Sequence, residues 1–63
     1  MKNYVKHYRE HYEISQEEFA KTIGIHASHL SKIETGKRTP SLKIAVKIAS
    51  QFDLDVKDIW IFT

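Results

Sequence analysis

Four histidines are the first residues of this sequence that could carry chemistry. His7 and His11 stand four apart in "HYREH", a spacing that puts both on one helix face and can chelate zinc. His26 and His29 stand three apart in "HASH". Neither pair has an evident third strong ligand, and cysteine is absent, so no metal centre is expected. No Ser–His–Asp grouping, no paired carboxylates of a cleft, no phosphate loop and no cofactor motif can be traced. A chain of 63 residues is also too short to wall a substrate pocket. The expectation is no enzyme, no cofactor and no small-molecule substrate, which leaves binding.

Binding is what the stretch "GIHASHLSKIETGKRTPS", residues 24–41, points to. Its apolar pattern is helical, yet the positions between Ile25 and Lys32 that meet water are His26, Ala27, Ser28, His29 and Ser31. A solvated helix face would carry Glu and Lys there. Lys37 and Arg38 follow at once. The net charge of +2 hides an asymmetry: residues 1–50 hold nine Lys or Arg against five Glu, and residues 51–63 hold Lys57 against three Asp. Basicity toward one end suits an anionic partner.

The elements that must position these residues come from a small globular chain. Hydrophobic residues make up 41% and charged residues 29%, the balance of a folded domain. At this size only about 60% of the unfolded surface is buried on folding, so efficient contacts or association are needed. The lack of cysteine excludes a disulfide scaffold and a Cys-type zinc finger, and suits a reducing cytoplasm. The longest strictly apolar run, Ile59 to Phe62, is far too short to span a bilayer. One domain covering 1–63 is expected.

Turn signals divide the chain into five helical segments. The first, about Asn3 to Tyr12, repeats Val5, Tyr8 and Tyr12 at helical spacing. The second spans about 15–23. Ser15 and Glu18 form a capping box, with Ile14 and Phe19 as a hydrophobic staple and Phe19, Ala20 and Ile23 inward. Gly24 ends it in the left-handed conformation. The third, about 26–35, turns Leu30 and Ile33 inward and closes at Gly36. Ser41 caps the fourth, Leu42 to Phe52, whose broad apolar face holds Leu42, Ala45, Val46, Ile48, Ala49 and Phe52. Asp55 caps the fifth, about Val56 to Phe62, with "IWIFT" as a possible extended tail. The fold class is all-α, and the tight glycine turn joining segments two and three is that of a helix-turn-helix.

"SQEEFA", the Gly24 turn, "LSKIETGKRTPS" and the closing "DVKDIW" occur in order at matching spacing. Together they resemble the phage-repressor and Cro type of helix-turn-helix domain, the xenobiotic-response-element family, over roughly Val5 to Trp60. The resemblance implies a five-helix lambda-repressor-like DNA-binding domain whose helices two and three form the motif. Helix three would then lie in the major groove of a pseudo-palindromic operator. Short side chains allow close approach and polar ones meet base edges, so Ala27, Ser28, Lys32 and His26 are the expected base-reading residues. Gln16 resembles the glutamine that donates to a backbone phosphate from the start of helix two. His29, Ser31, Thr35, Lys37 and Arg38 are the other expected phosphate contacts. Arg9 and Glu34 match a partly buried structural ion pair. Two residues depart from the family pattern. His26 replaces the usual Ser or Thr cap, which weakens that cap. Glu13 stands where a glycine is common, so the turn after helix one is either loose or strained.

The apolar tail Ile59, Trp60, Ile61 and Phe62 exceeds what so small a monomer is expected to bury. Exposed apolar clusters mark interfaces. A homodimer through segment five and the tail, about 56–63, with Ile44 contributing, is therefore expected. The whole reading is a small cytoplasmic transcriptional regulator, acting most simply as a repressor, bacterial or phage-encoded, with double-stranded DNA as partner and no membrane contact. The alternative is an antitoxin or protein-partner-binding module on the same fold.

Overall fold

The computed structural model describes residues 2–61. Five helices follow one another: α1 Val5–His11, α2 Gln16–Ile23, α3 Ala27–Glu34, α4 Leu42–Ser50 and α5 Val56–Ile59. Three of the starts have a local side-chain cap. Ser15 accepts a hydrogen bond from the Glu18 N–H at 3.1 Å, and Ser41 accepts from the Ile44 N–H at 3.3 Å. The Ser15–Glu18 pair is not fully reciprocal as a capping box, since the Glu18 carboxylate accepts a hydrogen bond from the Ser15 hydroxyl at 3.2 Å. Asp55 begins α5, its N–H donating to Asp58 Oδ2 at 2.9 Å. His26 precedes α3 with extended backbone and makes no side-chain cap bond, as expected of a histidine there.

One apolar cluster lies between the helices. Val5 of α1, Phe19, Ala20 and Ile23 of α2, Leu30 and Ile33 of α3 and Ala45, Ile48 and Ala49 of α4 are all buried in it. Phe52 lies flat on Phe19, ring centroids 5.2 Å apart and planes 10° from parallel. Tyr8 and Tyr12 extend this column outward, at 5.6 and 5.8 Å from the Phe52 ring. The expected apolar face of α4 is narrower than its sequence reads. Leu42 is 74% exposed and Val46 50%. At 100° per residue both sit on the Ala49 edge of the stripe, the edge farther from Ile48.

The last segment also differs from expectation. Helix α5 stops at Ile59 rather than near residue 62, because the chain becomes extended at Trp60 and pairs with the N-terminal stretch. Asn3 and Trp60 form an antiparallel bridge. The Tyr4 N–H donates to the Ile59 carbonyl at 2.9 Å, and the Ile61 N–H donates to the Lys2 carbonyl at 3.0 Å. Ile59 is 0% exposed and Trp60 4%, so this pairing closes one end of the core.

Two turns set the angles between helices. Gly24 ends α2 at φ 80°, where an added Cβ would meet nothing within 4 Å, so its conformation alone calls for glycine. The Ile25 N–H then reaches back to the Ala20 carbonyl at 2.9 Å. Glu13, after α1, adopts φ 56° and pays the left-handed penalty that a glycine there would avoid. Glu13→Gly should therefore stabilise the fold by about 0.5–1 kcal/mol, the penalty less glycine's greater chain entropy. Reversible thermal unfolding should show a midpoint a few degrees higher, and a lower midpoint would contradict the strained reading of this turn.

Candidate nucleic-acid interface

Helix α3 presents two different sides. Leu30 and Ile33 are fully buried, while Ser28, Lys32 and Thr35 are exposed and Ser31 is half-exposed beside them. The spacing 28, 31, 32, 35 is a single helical stripe. It carries no carboxylate and only one long side chain, Lys32. Ala27 opens the helix half-buried against the core, leaving only part of its methyl open. His26 is exposed just before it, and His29 is half-buried at the flank.

The basic loop is folded back onto the end of this helix. Thr35 is its C-cap, and Gly36 turns the chain at φ 79°. The Gly36 N–H donates to the Ile33 carbonyl at 3.1 Å, and the Arg38 N–H to the Lys32 carbonyl at 3.1 Å. These bonds satisfy carbonyls that a helix end leaves unpaired. They also hold exposed Lys37 and Arg38 next to the Lys32 stripe instead of trailing away from it. The Thr35 hydroxyl donates to the Ser31 carbonyl at 3.1 Å, so its one proton must turn outward before it can meet an anion.

What fixes α3 is the carboxylate of Glu34. Arg9 Nε donates to Glu34 Oε2 at 2.8 Å and a terminal guanidinium nitrogen, Nη2, donates to Oε1 at 3.3 Å, a two-pronged pair. The two side chains are only 9% and 3% exposed. Arg9 Nη1 also donates to the Ile14 carbonyl at 2.8 Å, which pins the strained turn after α1. The pair is buried and ties α1 to the end of α3. Gln16 Nε2 donates to Glu34 Oε1 at 3.0 Å, which places the glutamine at the end of α3 and engages one of its two amide protons internally. Three helices meet on this one carboxylate.

One expectation needs amendment. Ile59 and Trp60 are buried in the chain's own core, because the bridge to Asn3 folds the tail inward, and they offer no outward apolar surface. Ile61 is half-buried, and Phe62 lies outside the described residues. Sequence reasoning also passed over Asn3. Its side chain donates to the Ile33 carbonyl at 2.9 Å and accepts from the Val5 N–H at 3.1 Å. Asparagine just ahead of an apolar-periodic segment is a capping signal that could have drawn attention to it. The histidines do not gather: among the described residues, no group of three His, Asp or Glu is placed to hold a metal ion. Among the same residues no helix is long and apolar enough to cross a membrane.

Breaking the buried pair from one side should be far worse than removing both charges. Glu34→Ala strands the Arg9 guanidinium and should cost about 3–5 kcal/mol, enough to unfold much of so small a domain. An Arg9→Met, Glu34→Leu double variant should recover a large part of that loss. Urea unfolding of the three chains checks this, and equal destabilisation in single and double variants would show that charge burial is not the cause.

Comparison with known proteins follows the same lines. The profile of the helix-turn-helix family HTH_3 matches residues 5–59. An HTH-type transcriptional regulator of Methanocaldococcus jannaschii is 44% identical over 62 residues, 98% of this chain and 94% of its own length. One of Archaeoglobus fulgidus is 40% identical over 98% of this chain and 87% of its own. The HTH-type transcriptional regulator YgzD of Bacillus subtilis is 37% identical over 95% and 91%. These relatives are archaeal as well as bacterial, so they do not single out the bacterial or phage origin implied by the resemblance. In three dimensions, the N-terminal DNA-binding domain of SinR from Bacillus subtilis superposes with a TM-score of 0.73 at 32% identity, covering 82% of this chain and 77% of that one. With the family profile matching from α1 through α5, this chain belongs to the HTH_3 family of helix-turn-helix proteins.

Proposed function

We propose that the protein is a sequence-specific double-stranded DNA-binding transcriptional regulator, most simply a repressor, that reads bases with α3. The observation that carries this reading is the composition of the outer stripe of α3. Its side chains are short and polar around a single lysine, and a two-residue basic loop is held beside its end. Ser28 and Lys32, one turn apart, suit base edges, with Lys32 long enough for guanine O6 and N7. Ala27 and His26, at the start of the helix, extend the same reading. Lys37 and Arg38 suit phosphates, joined by His29, Ser31, Thr35 and the second amide proton of Gln16. The names of the relatives and the SinR domain support regulation through DNA.

The protein acts on DNA as a two-fold homodimer. With Ile59 and Trp60 buried, the surface that supports this is the outer edge of α4 and the start of α5. Leu42 and Val46 are exposed there beside a shallow groove formed by Ala49, Ser50, Leu54 and Val56. Lys43 and Lys47 stand on the same side of α4 by helical spacing, and Asp55 and Asp58 belong to α5. Apolar surface flanked by both signs of charge is self-complementary across a two-fold axis. The described residues measure 29 Å in their longest dimension, so two copies side by side can set their α3 helices about 34 Å apart, one turn of DNA.

Selection of bound duplexes from random DNA tests the reading directly, since it yields the site, its symmetry and the half-site spacing. Lys32→Ala should relax choice at one base pair and cost about 1–3 kcal/mol there, whereas Lys37→Ala should weaken all sequences alike and lower the salt slope by about one. If both variants weaken selected and random DNA equally, α3 is not reading bases. Binding that is insensitive to salt would favour the protein-partner module instead. Val46→Glu should give a monomer by sedimentation and weaken binding to a two-half-site duplex. An unchanged sedimentation profile would remove the α4 surface as the dimer contact.

A further inference from the structure

We propose that Asn3 is a positioning residue of the DNA interface, resting on the function just argued: it sets where the C-terminal end of α3 and the basic loop stand relative to the core. Its Nδ2 crosses thirty residues of sequence to donate to the Ile33 carbonyl at 2.9 Å. That carbonyl already accepts from the Gly36 N–H at 3.1 Å, so the amide of Asn3 and the turn that launches Lys37 and Arg38 share one oxygen. The other end of Asn3 is fixed as well. Its Oδ1 accepts from the Val5 N–H at 3.1 Å, and its backbone is bridged to Trp60. Lys2, Asn3, Glu34, Thr35 and Gly36 line a common recess, so the N-terminal stretch lies directly against the end of α3. Glu34 holds the same end of α3 from the side of α1 and α2. Two independent struts therefore reach it, one ionic and one amide. A helix held at its end by two struts cannot rotate about its axis, and rotation is what would carry Ser28 and Lys32 off their base edges.

The role can be separated from helix capping. Asn3→Ser and Asn3→Asp both keep a side-chain oxygen for the Val5 N–H and leave the backbone bridge intact, but neither retains the amide donor to Ile33. The readout is the ratio of affinities for the duplex recovered by selection with the unaltered protein and for a scrambled duplex of equal length, at one salt concentration. Loss of folded protein lowers both affinities alike and leaves the ratio unmoved, whereas a misplaced α3 lowers it. Both variants should lose roughly three- to tenfold in this ratio, the range to which the net contribution of one hydrogen bond converts. In the free protein, amide exchange at Gly36 and Arg38 should accelerate. A ratio within twofold of the unaltered protein, with unchanged exchange, overturns the assignment of Asn3 while leaving DNA reading intact. If the unaltered protein prefers no duplex at all, the functional reading fails and the role of Asn3 at a DNA interface falls with it.

Discussion

The carboxylate of Glu34 is the point on which the rest of the molecule depends. A buried carboxylate is costly to desolvate and is tolerated only when donors surround it. Here the donors come from two other helices, Arg9 of α1 and Gln16 of α2, and the carboxylate itself stands in the last turn of α3. Apolar contact alone is non-directional and would let short helices slide. Bonds with fixed angles set the register of three helices at once, which the twelve buried apolar residues among those described do not do by themselves. The arrangement also keeps the acid away from the outer stripe of α3. The one carboxylate of α3 is turned inward and paired with a guanidinium.

The outer face of α3 is bland for the same reason. A helix stabilised by its own surface pairs would carry acids and bases at i and i+4. This one borrows its stability from Leu30, Ile33 and Glu34 behind it, so Ser28, Ser31, Lys32 and Thr35 are free to be chosen for contact. The weak cap at His26 belongs to the same pattern. It is a local defect at the start of a helix that is anchored at its other end.

Much of this was legible in the residues. The spacing of Phe19, Ala20, Ile23, Leu30 and Ile33 fixes inward faces, and Ser15, Ser41 and Gly24 mark boundaries, because caps and periodicity are local chemistry. Glu13 could be flagged because a glycine was expected in its place. The Arg9–Glu34 pair was reached through family resemblance and not through spacing. What escaped was non-local. The reach of Asn3 across thirty residues leaves no periodic trace. Whether "IWIFT" continues a helix or pairs as an extended segment depends on a partner at the far end of the chain. The exposure of Leu42 and Val46 was missed because a broad apolar stripe does not reveal which of its edges a neighbour covers.

The bridge between Asn3 and Trp60 bears on the order in which the protein is made. One of its halves is synthesised before α1 and the other only after α5. Local helices such as α2 and α3 form from neighbours in sequence, but this closure must wait for the distant segment and bear the entropy of a loop that contains all five helices. Until then Ile59 and Trp60 are missing from the core to which Val5 belongs, and the N-terminal stretch lacks its bridge to the C-terminal segment. The nascent protein thus acquires its helices early and the closure beside the end of α3 last.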